Sequence, residues 1–330
     1  MKKMFVPFSI LVILVIFLAS CATPPESEKP FRVAVVMPSK IDDLAQSQSM
    51  YDALVAIQKE MGADKFEFVY SQNMSDVEVA AAAIRDYAAK GYNLVIAHGS
   101  QYRDSLQEIA PDFPEVSFAW GSSVDTFTDK GINNVFAYEA RAEQGGYVNG
   151  LMAAKLTKSG KIGVVGPIET ADPKLYVEGF KKGVADTNPN VEVLVTWTGS
   201  FSDVALASEA AQTQITSGAD VLTGVSQGAV GAIDKAKESN VVWFGTQSNQ
   251  TSLAPEIVAA CQVYHWEVAL TQIIDQIEKG ALGGQSFQTD LKNKGEVIEY
   301  NEGYQLPEDV KAAAQAAIDG IINGSIKPLP

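Results

Sequence analysis

Residues Gly224-Val225-Ser226-Gln227-Gly228 set a serine between two glycines at the spacing of a nucleophile elbow. In that device a sharp strand-to-helix turn exposes the serine hydroxyl, and a histidine must accept its proton. The chain holds two histidines, His98 and His265, and only His265 follows the serine in the chain order such hydrolases use. The same turn can instead serve binding, because Ser226 and Gln227 carry hydrogen-bond donors and acceptors. Other reactive sets are missing from the sequence. Cys21 and Cys261 form no CxxC pair, and no spacing of His and Cys fits a metal ion. None of these residue types calls for a cofactor or metal, and by themselves they leave open a serine hydrolase using Ser226 or a ligand-binding loop.

Composition bounds the partners. The 330 residues carry a formal charge of −15, which argues against nucleic acid. The length predicts about two domains. At the N-terminus, Lys2 and Lys3 precede the apolar run Met4–Ala19, which closes in Leu18-Ala19-Ser20-Cys21. A basic start, an apolar core and small residues make a secretory signal. A polar segment containing Pro24 and Pro25 follows and reads as a flexible tether. The other cysteine, Cys261, lies in the mostly apolar run Ile257–Val263 and reads as a buried, inert thiol.

The elements that must position any site alternate strand and helix. Phe31–Met37 is a nearly continuous apolar run, the pattern of a strand covered on both faces. Strands are expected at Phe66–Tyr70, Asn93–His98, Val116–Trp120 and Asn134–Tyr138, with helices between. In Ala137–Gly166 a strand ends, a glycine-rich helix follows and stops at Ser159-Gly160, and a new strand begins at Lys161. Its glycines allow close packing on a neighbour. The alternation then restarts, with strands at Lys161–Val165, Val191–Trp197, Val221–Gly224 and Val241–Phe244. Helices are expected at Trp266–Lys279 and Pro307–Asn323, and a strand at Val297–Tyr300. The fold class is α/β, with two doubly wound parallel-sheet lobes joined by a hinge.

Open parallel sheets bind ligands at the carboxyl ends of their strands. After the first strand come Asp42 and Asp43, suited equally to capping a helix or to accepting from a ligand. After the third come His98, Ser100 and Tyr102, and the fourth ends on Trp120, a possible stacking ring or a core residue. In the second half, Trp197 ends a strand and Phe201 follows it; Ser226, Gln227 and Gln247 lie in later loops.

The phrase EQGGYVNGLMAAKLTKSGKIGVVG, with FKKGVADTNPNVEV, TGSFSD and GADVLTGVSQGAVGAIDKAKE, resembles the basic membrane protein family, from about Arg32 to the C-terminus. Members are lipid-anchored substrate-binding proteins of ATP-driven importers, and the best understood bind purine nucleosides. The resemblance implies a type I periplasmic-binding-protein-like fold and cleavage before Cys21 with lipid on its thiol. It implies a monomer at the cell membrane, facing the periplasm or exterior, with a purine base or nucleoside as ligand and the importer's membrane subunits as partners. A surface lipoprotein that passes a signal to a partner is the alternative role. The family's Asp, spacer, Ser-Phe-Asn-Gln pattern aligns with Asp43 and Ala45–Gln48, so Gln46 stands where a stacking ring is usual and Gln48 keeps the last amide. The GSF-x-D segment carries a ring role to Phe201. Where the family has Asp-Ser-Asp-Gln, Gln247 and Asn249 replace both acids, which favours a neutral ligand such as a free base. The expected organisation is signal peptide 1–20, tether 21–30, a first lobe of 31–138 plus about 264–300, and a second of 139–263 plus about 301–330.

Overall fold

The structure, a computed structural model, describes Met1 and residues 29–329; the expected signal segment and Cys21 lie outside the described residues. Along the chain run β1 (Phe31–Val36), α1 (Gln46–Met61), β2 (Phe66–Ser71), α2 (Val77–Ala89), β3 (Leu94–Ala97), α3 (Arg103–Ile109), β4 (Ser117–Gly121) and β5 (Val135–Ala140). Then come α4 (Ala142–Leu156), β6 (Lys161–Gly166), α5 (Ala171–Thr187), β7 (Glu192–Trp197), α6 (Val204–Thr216), β8 (Val221–Gly224), α7 (Ala229–Glu238) and β9 (Val242–Gly245). The chain ends with β10 (Val258–Tyr264), α8 (Glu267–Glu278), β11 (Ser286–Thr289), β12 (Glu296–Tyr300) and α9 (Glu308–Asn323).

The strands form two sheets, ordered β11-β5-β4-β3-β1-β2 and β12-β10-β9-β8-β6-β7. One order maps onto the other, so the lobes repeat a single doubly wound plan. The first sheet is parallel throughout. The second is parallel except that β12 runs antiparallel to β10. Val33–Val36 are fully buried, as helices on both faces of a parallel sheet require. The chain crosses between lobes after β5, after β10 and between β11 and β12. These crossings gather at one edge of the sheets, and β2 and β7 form the opposite edges.

Two strands differ from the sequence reading. Val297–Tyr300 was expected with the first lobe, yet β12 pairs with β10 of the second sheet. Its sequence, Glu296-Val-Ile-Glu-Tyr300, mixes acidic and apolar residues and is half-buried after Glu296, as suits an edge strand. The short, polar β11, Ser286-Phe-Gln-Thr289, has no apolar run to mark it and adds to the first sheet beside β5. The apolar run holding Cys261 is β10; the thiol is fully buried, and burial pushes its pKa up to about 11.

The glycines of α4 pack as their sequence suggests. A Cβ at Gly146 would lie 2.4 Å from the carbonyl oxygen of Tyr176, and one at Gly150 would lie 2.1 Å from that of Phe180. The partner helix α5 reciprocates: a Cβ at Gly179 would be 2.2 Å from the Glu143 carbonyl, and one at Gly183 2.1 Å from that of Tyr147. Two i, i+4 glycine pairs thus lock α4 onto α5 with backbone against backbone, which welds the start of the second lobe into one unit.

Candidate functional site

A cavity of about 490 Å³ lies between the lobes. From the first lobe it is lined by Pro38 and Ser39 after β1, Gln46 at the start of α1, Asn73 and Ser75 after β2, Ser100 and Gln101 after β3, and Ser122 after β4. The second lobe supplies Ile168, Ala171 and Pro173 after β6, Gly199, Ser200, Phe201 and Ser202 after β7, and Gln227 after β8. Each group lies at or just beyond the carboxyl end of a strand, where a doubly wound sheet leaves its crevice. None of the lining residues is ionisable. Six serines and four carboxamides supply the polar groups, and Phe201 supplies the one ring.

Four of the residues expected at the site, Gln46, Ser100, Phe201 and Gln227, line this cavity. The others have different work. Asp42 is exposed and lines no part of the cavity. Asp43 accepts from the backbone N–H groups of Ala45 (2.9 Å), Gln48 (3.0 Å) and Ser47 (3.3 Å), so it caps the entry to α1. Burial raises its pKa, and those hydrogen bonds oppose the rise. Gln48 accepts from the Leu44 N–H at 3.0 Å and also belongs to the loop's own bracing. Tyr102 is buried and donates to the Met74 carbonyl at 2.7 Å. Trp120 donates from Nε1 to the Gly99 carbonyl at 3.1 Å and stacks on Phe127 with centroids 5.2 Å apart, so it is core. Trp197 packs against the bare backbone of Gly166, where a Cβ would meet its ring at 2.4 Å. Gln247 is buried behind the wall, with φ of +70° and no hydrogen-bond partner for Oε1 among the described residues. Its loop is held on the first lobe, where Ser248 Oγ donates to the Ala45 carbonyl (2.8 Å) and Gln250 Nε2 to that of Leu44 (3.1 Å). Its neighbour Asn249 donates to Glu299.

The serine elbow has no base. Ser226 is buried, His265 pairs with Glu267 at 2.9 Å, and His98 is fully engaged elsewhere. His98 Nε2 lies 3.0 Å from the Gln46 carbonyl oxygen and Nδ1 lies 2.7 Å from the Tyr138 hydroxyl. A carbonyl only accepts, so Nε2 carries the proton and Nδ1 accepts from Tyr138. Burial drives the His98 pKa down to about 4, and the ring is neutral near pH 7. It acts as a strut under Gln46 rather than as a ligand-binding group.

The reading of strand ends passed over the loop after β2, although the same rule would have found Asn73 and Ser75. It also missed Asp172, whose importance rests on a partner 50 residues away. Gln46 Nε2 donates to Ser122 Oγ (2.9 Å), and Ser122 Oγ donates onward to Asp172 Oδ2 (3.1 Å). Ser122 belongs to the first lobe and Asp172 to the first turn of α5 in the second, so this chain of bonds spans the floor of the cleft. Asp172 is buried and its Oδ1 has no partner among the described residues. Burial, then the nearby carboxylate of Glu139, push its pKa up to about 7, with a smaller contribution from Glu143; the Ser122 hydroxyl opposes the rise.

Two repeated α/β lobes, three crossings at one edge and a cavity with an uncharged lining between the lobes define a fold of the type I periplasmic-binding-protein-like class. Over residues 31–326 the chain matches the Bmp family, described as ABC transporter substrate-binding protein PnrA-like, and it belongs to that family. The family is one of substrate-binding proteins and not of enzymes. The chain is 28% identical over 285 residues to the transcriptional activator protein med of Bacillus subtilis, covering 86% of this chain and 85% of that one. It is 26% identical over 265 residues to a purine-binding protein of Brucella abortus, covering 80% of this chain and 73% of the other. Among solved structures it is similar in fold to an ABC transporter solute-binding protein of Conexibacter woesei, with a TM-score of 0.73 and 24% identity over 91% of this chain and 98% of that chain.

Proposed function

We propose that this substrate-binding protein is the lipid-anchored receptor of an importer and takes a neutral purine, a free base or a nucleoside, into the cleft between its lobes. The observation that carries the ligand reading is the lining: ten hydroxyl and amide side chains, one aromatic ring and no ionisable group. A charged solute would lose its hydration there without meeting an opposite charge. A purine edge alternates donors and acceptors, which carboxamides match from either side, and its flat face can stack on Phe201. The cavity volume suits a ligand of that size. With no carboxylate in the lining, a base is favoured over a nucleoside, whose ribose hydroxyls are strong donors.

Calorimetry with adenine, guanine, adenosine, guanosine and inosine tests this, together with mass spectrometry of molecules released from the purified, denatured protein. If none binds below the millimolar range, the purine reading is wrong and the substrate-binding role alone stands. Lipid attachment is tested by Cys21→Ala, which is expected to leave the protein unprocessed or released from membranes; an unchanged mature mass and unchanged retention would refute it.

The second reading is a sensor that hands the bound state to a signalling partner. The relative named as a transcriptional activator favours it. Ligand uptake that does not depend on this chain would decide for it.

A further inference from the structure

Asp172 lines no part of the cavity, although its neighbours Ala171 and Pro173 do. It is buried, and Ser122 is the one other residue among those described that hydrogen-bonds its carboxyl group. Tyr138 and Glu139 of β5, Glu143 of α4 and Tyr264 of β10 surround it, and the cation Arg141 is paired with Glu143. A buried carboxylate without a countercharge is costly. Its place in the first turn of α5 offsets part of that cost through the helix dipole, but the dipole asks nothing of Ser122. The backbone on both sides of the contact is held in the left-handed region, with φ of +62° at Ser122 and +46° at Ala171. Such strain persists where the surroundings over-determine it, and it gathers at ligand clamps.

The direction of the hydrogen bonds carries this contact into the cavity. A hydroxyl has one hydrogen, and an ionised carboxylate only accepts. Ser122 therefore points its hydrogen at Asp172 Oδ2, 3.1 Å away. The Ser122 oxygen is left to accept, so Gln46 must turn Nε2 to it, at 2.9 Å. The Gln46 backbone cannot adjust, because it opens α1 and its carbonyl takes the His98 Nε2–H at 3.0 Å. The polarity that starts at Asp172 thus ends on Gln46 Oε1. That oxygen takes no hydrogen bond among the described residues and belongs to a cavity-lining side chain. An amide free to turn would offer either end to a solute. Asparagine at position 172 would leave it free, since its own amide can accept from Ser122 or donate to it. A carboxylate is the group that fixes the direction.

We propose that Asp172 is a positioning residue for specificity: through Ser122 it holds the Gln46 amide with its oxygen toward the solute, so that the cleft selects a purine presenting an N–H to that oxygen from its N1 and C6 edge. This rests on the purine reading above. Adenine and hypoxanthine exchange donor and acceptor at both of those atoms. Adenine has a bare ring nitrogen and an amino group where hypoxanthine has an N–H and a carbonyl. Whichever atom meets Oε1, one base of the pair offers a hydrogen and the other a lone pair. The second base binds with lone pairs opposed, or it binds when the relay reverses. In the reversed relay a proton from solvent sits on Asp172 Oδ2 and is donated to Ser122, Ser122 donates to Gln46 Oε1, and Nε2 turns to the solute. Burial, which pushes the Asp172 pKa up to about 7, brings that reversal within reach near neutral pH.

Calorimetry of the parent, Asp172→Asn and Ser122→Gly tests this, with adenine against hypoxanthine and adenosine against inosine, each at pH 8.5 and pH 6. Glycine suits the left-handed backbone at position 122, so the second variant cuts the relay without adding strain. At pH 8.5 the parent is expected to prefer one member of a pair by about tenfold or more. At pH 6 the preference narrows, as the reversed relay becomes populated. In both variants the two members bind within about threefold of each other, with the same ratio at both pH values. A proton taken up on closure alone is common to both members of a pair and cancels in the ratio. No preference in the parent, a preference that survives in either variant, or one that ignores pH in the parent overturns the relay and leaves the purine reading intact. If none of the four binds the parent below the millimolar range, the purine reading and this inference fall together.

Discussion

The Ser122 hydroxyl donates to Asp172 Oδ2 at 3.1 Å and so joins the two lobes directly across the floor of the cleft. Ser122 holds φ at +62°, a left-handed conformation that non-glycine residues adopt at some cost, and it also receives the amide of Gln46. A cavity-lining side chain, a strained residue and a buried carboxylate of the other lobe therefore form one relay. Around Asp172 stand Glu139 and Tyr138 of β5, Glu143 of α4 and the Tyr264 phenol of β10. The cation Arg141 is paired with Glu143.

This relay is expected to make closure of the lobes pH-dependent. In this structure the Asp172 pKa is about 7, and an opening of the lobes that let water reach the carboxyl would return it toward the ordinary 3.8. The closed form therefore holds an extra proton between those values, and lowering the pH through about 7 favours closure. Ligand affinity is expected to rise as pH falls from 8.5 to 6. Asp172→Asn keeps an acceptor for Ser122 and should flatten that rise. Calorimetry at a series of pH values reads both; an equal slope in parent and variant would remove Asp172 from the account.

His98 predicts the opposite trend in folding stability under acid. Its ring is buried neutral with a pKa of about 4 against 6.5 when unfolded. Below pH 6.5 the unfolded chain gains a proton that the folded chain refuses, so stability is lost as pH falls from about 6.5 to about 4. The total is on the order of 3 kcal/mol. His98→Gln should shrink this acid loss in urea titrations, and an unchanged acid loss would argue that the ring titrates freely.

Phe201→Ala should weaken ligand binding by about five- to a hundredfold, because base–aromatic stacking is worth about 1–3 kcal/mol. The same change at Trp120, which stacks on Phe127 in the core, should instead lower the melting temperature. Calorimetry and thermal unfolding on both variants separate the two roles.

Gly150→Ala and Gly183→Ala should each destabilise the chain by about 1–3 kcal/mol, since the new methyl meets a backbone carbonyl that cannot rotate away. Gly160→Ala, where no atom lies within 4 Å but φ is +73°, should cost less, about 1 kcal/mol. Denaturant unfolding of the three variants ranks them.

The strand and helix order was legible because parallel strands are buried on both faces and must be apolar runs, as in Phe31–Val36. The edge strands were not: β11 is short and polar, and the partner of β12 is fixed by a chain crossing that no local pattern encodes. The site was half legible for a related reason. Position after a strand is local and found Gln46, Ser100, Phe201 and Gln227, but direction is not. Tyr102, Trp120 and Trp197 stand at strand ends and turn inward to carbonyls, Phe127 and Gly166. Asp172 matters through Ser122 of the facing lobe, a relation that exists only in three dimensions.

The glycine seam between α4 and α5 has one more consequence. Residues 137–166, which lie inside the stretch that matches the family, contribute nothing to the cavity wall. What that stretch supplies is the mechanical integrity of one jaw, whereas the cavity lining comes from loops elsewhere. Cargo choice is therefore separable here from the helix seam: a change in the lining loops leaves the packing of α4 on α5 untouched.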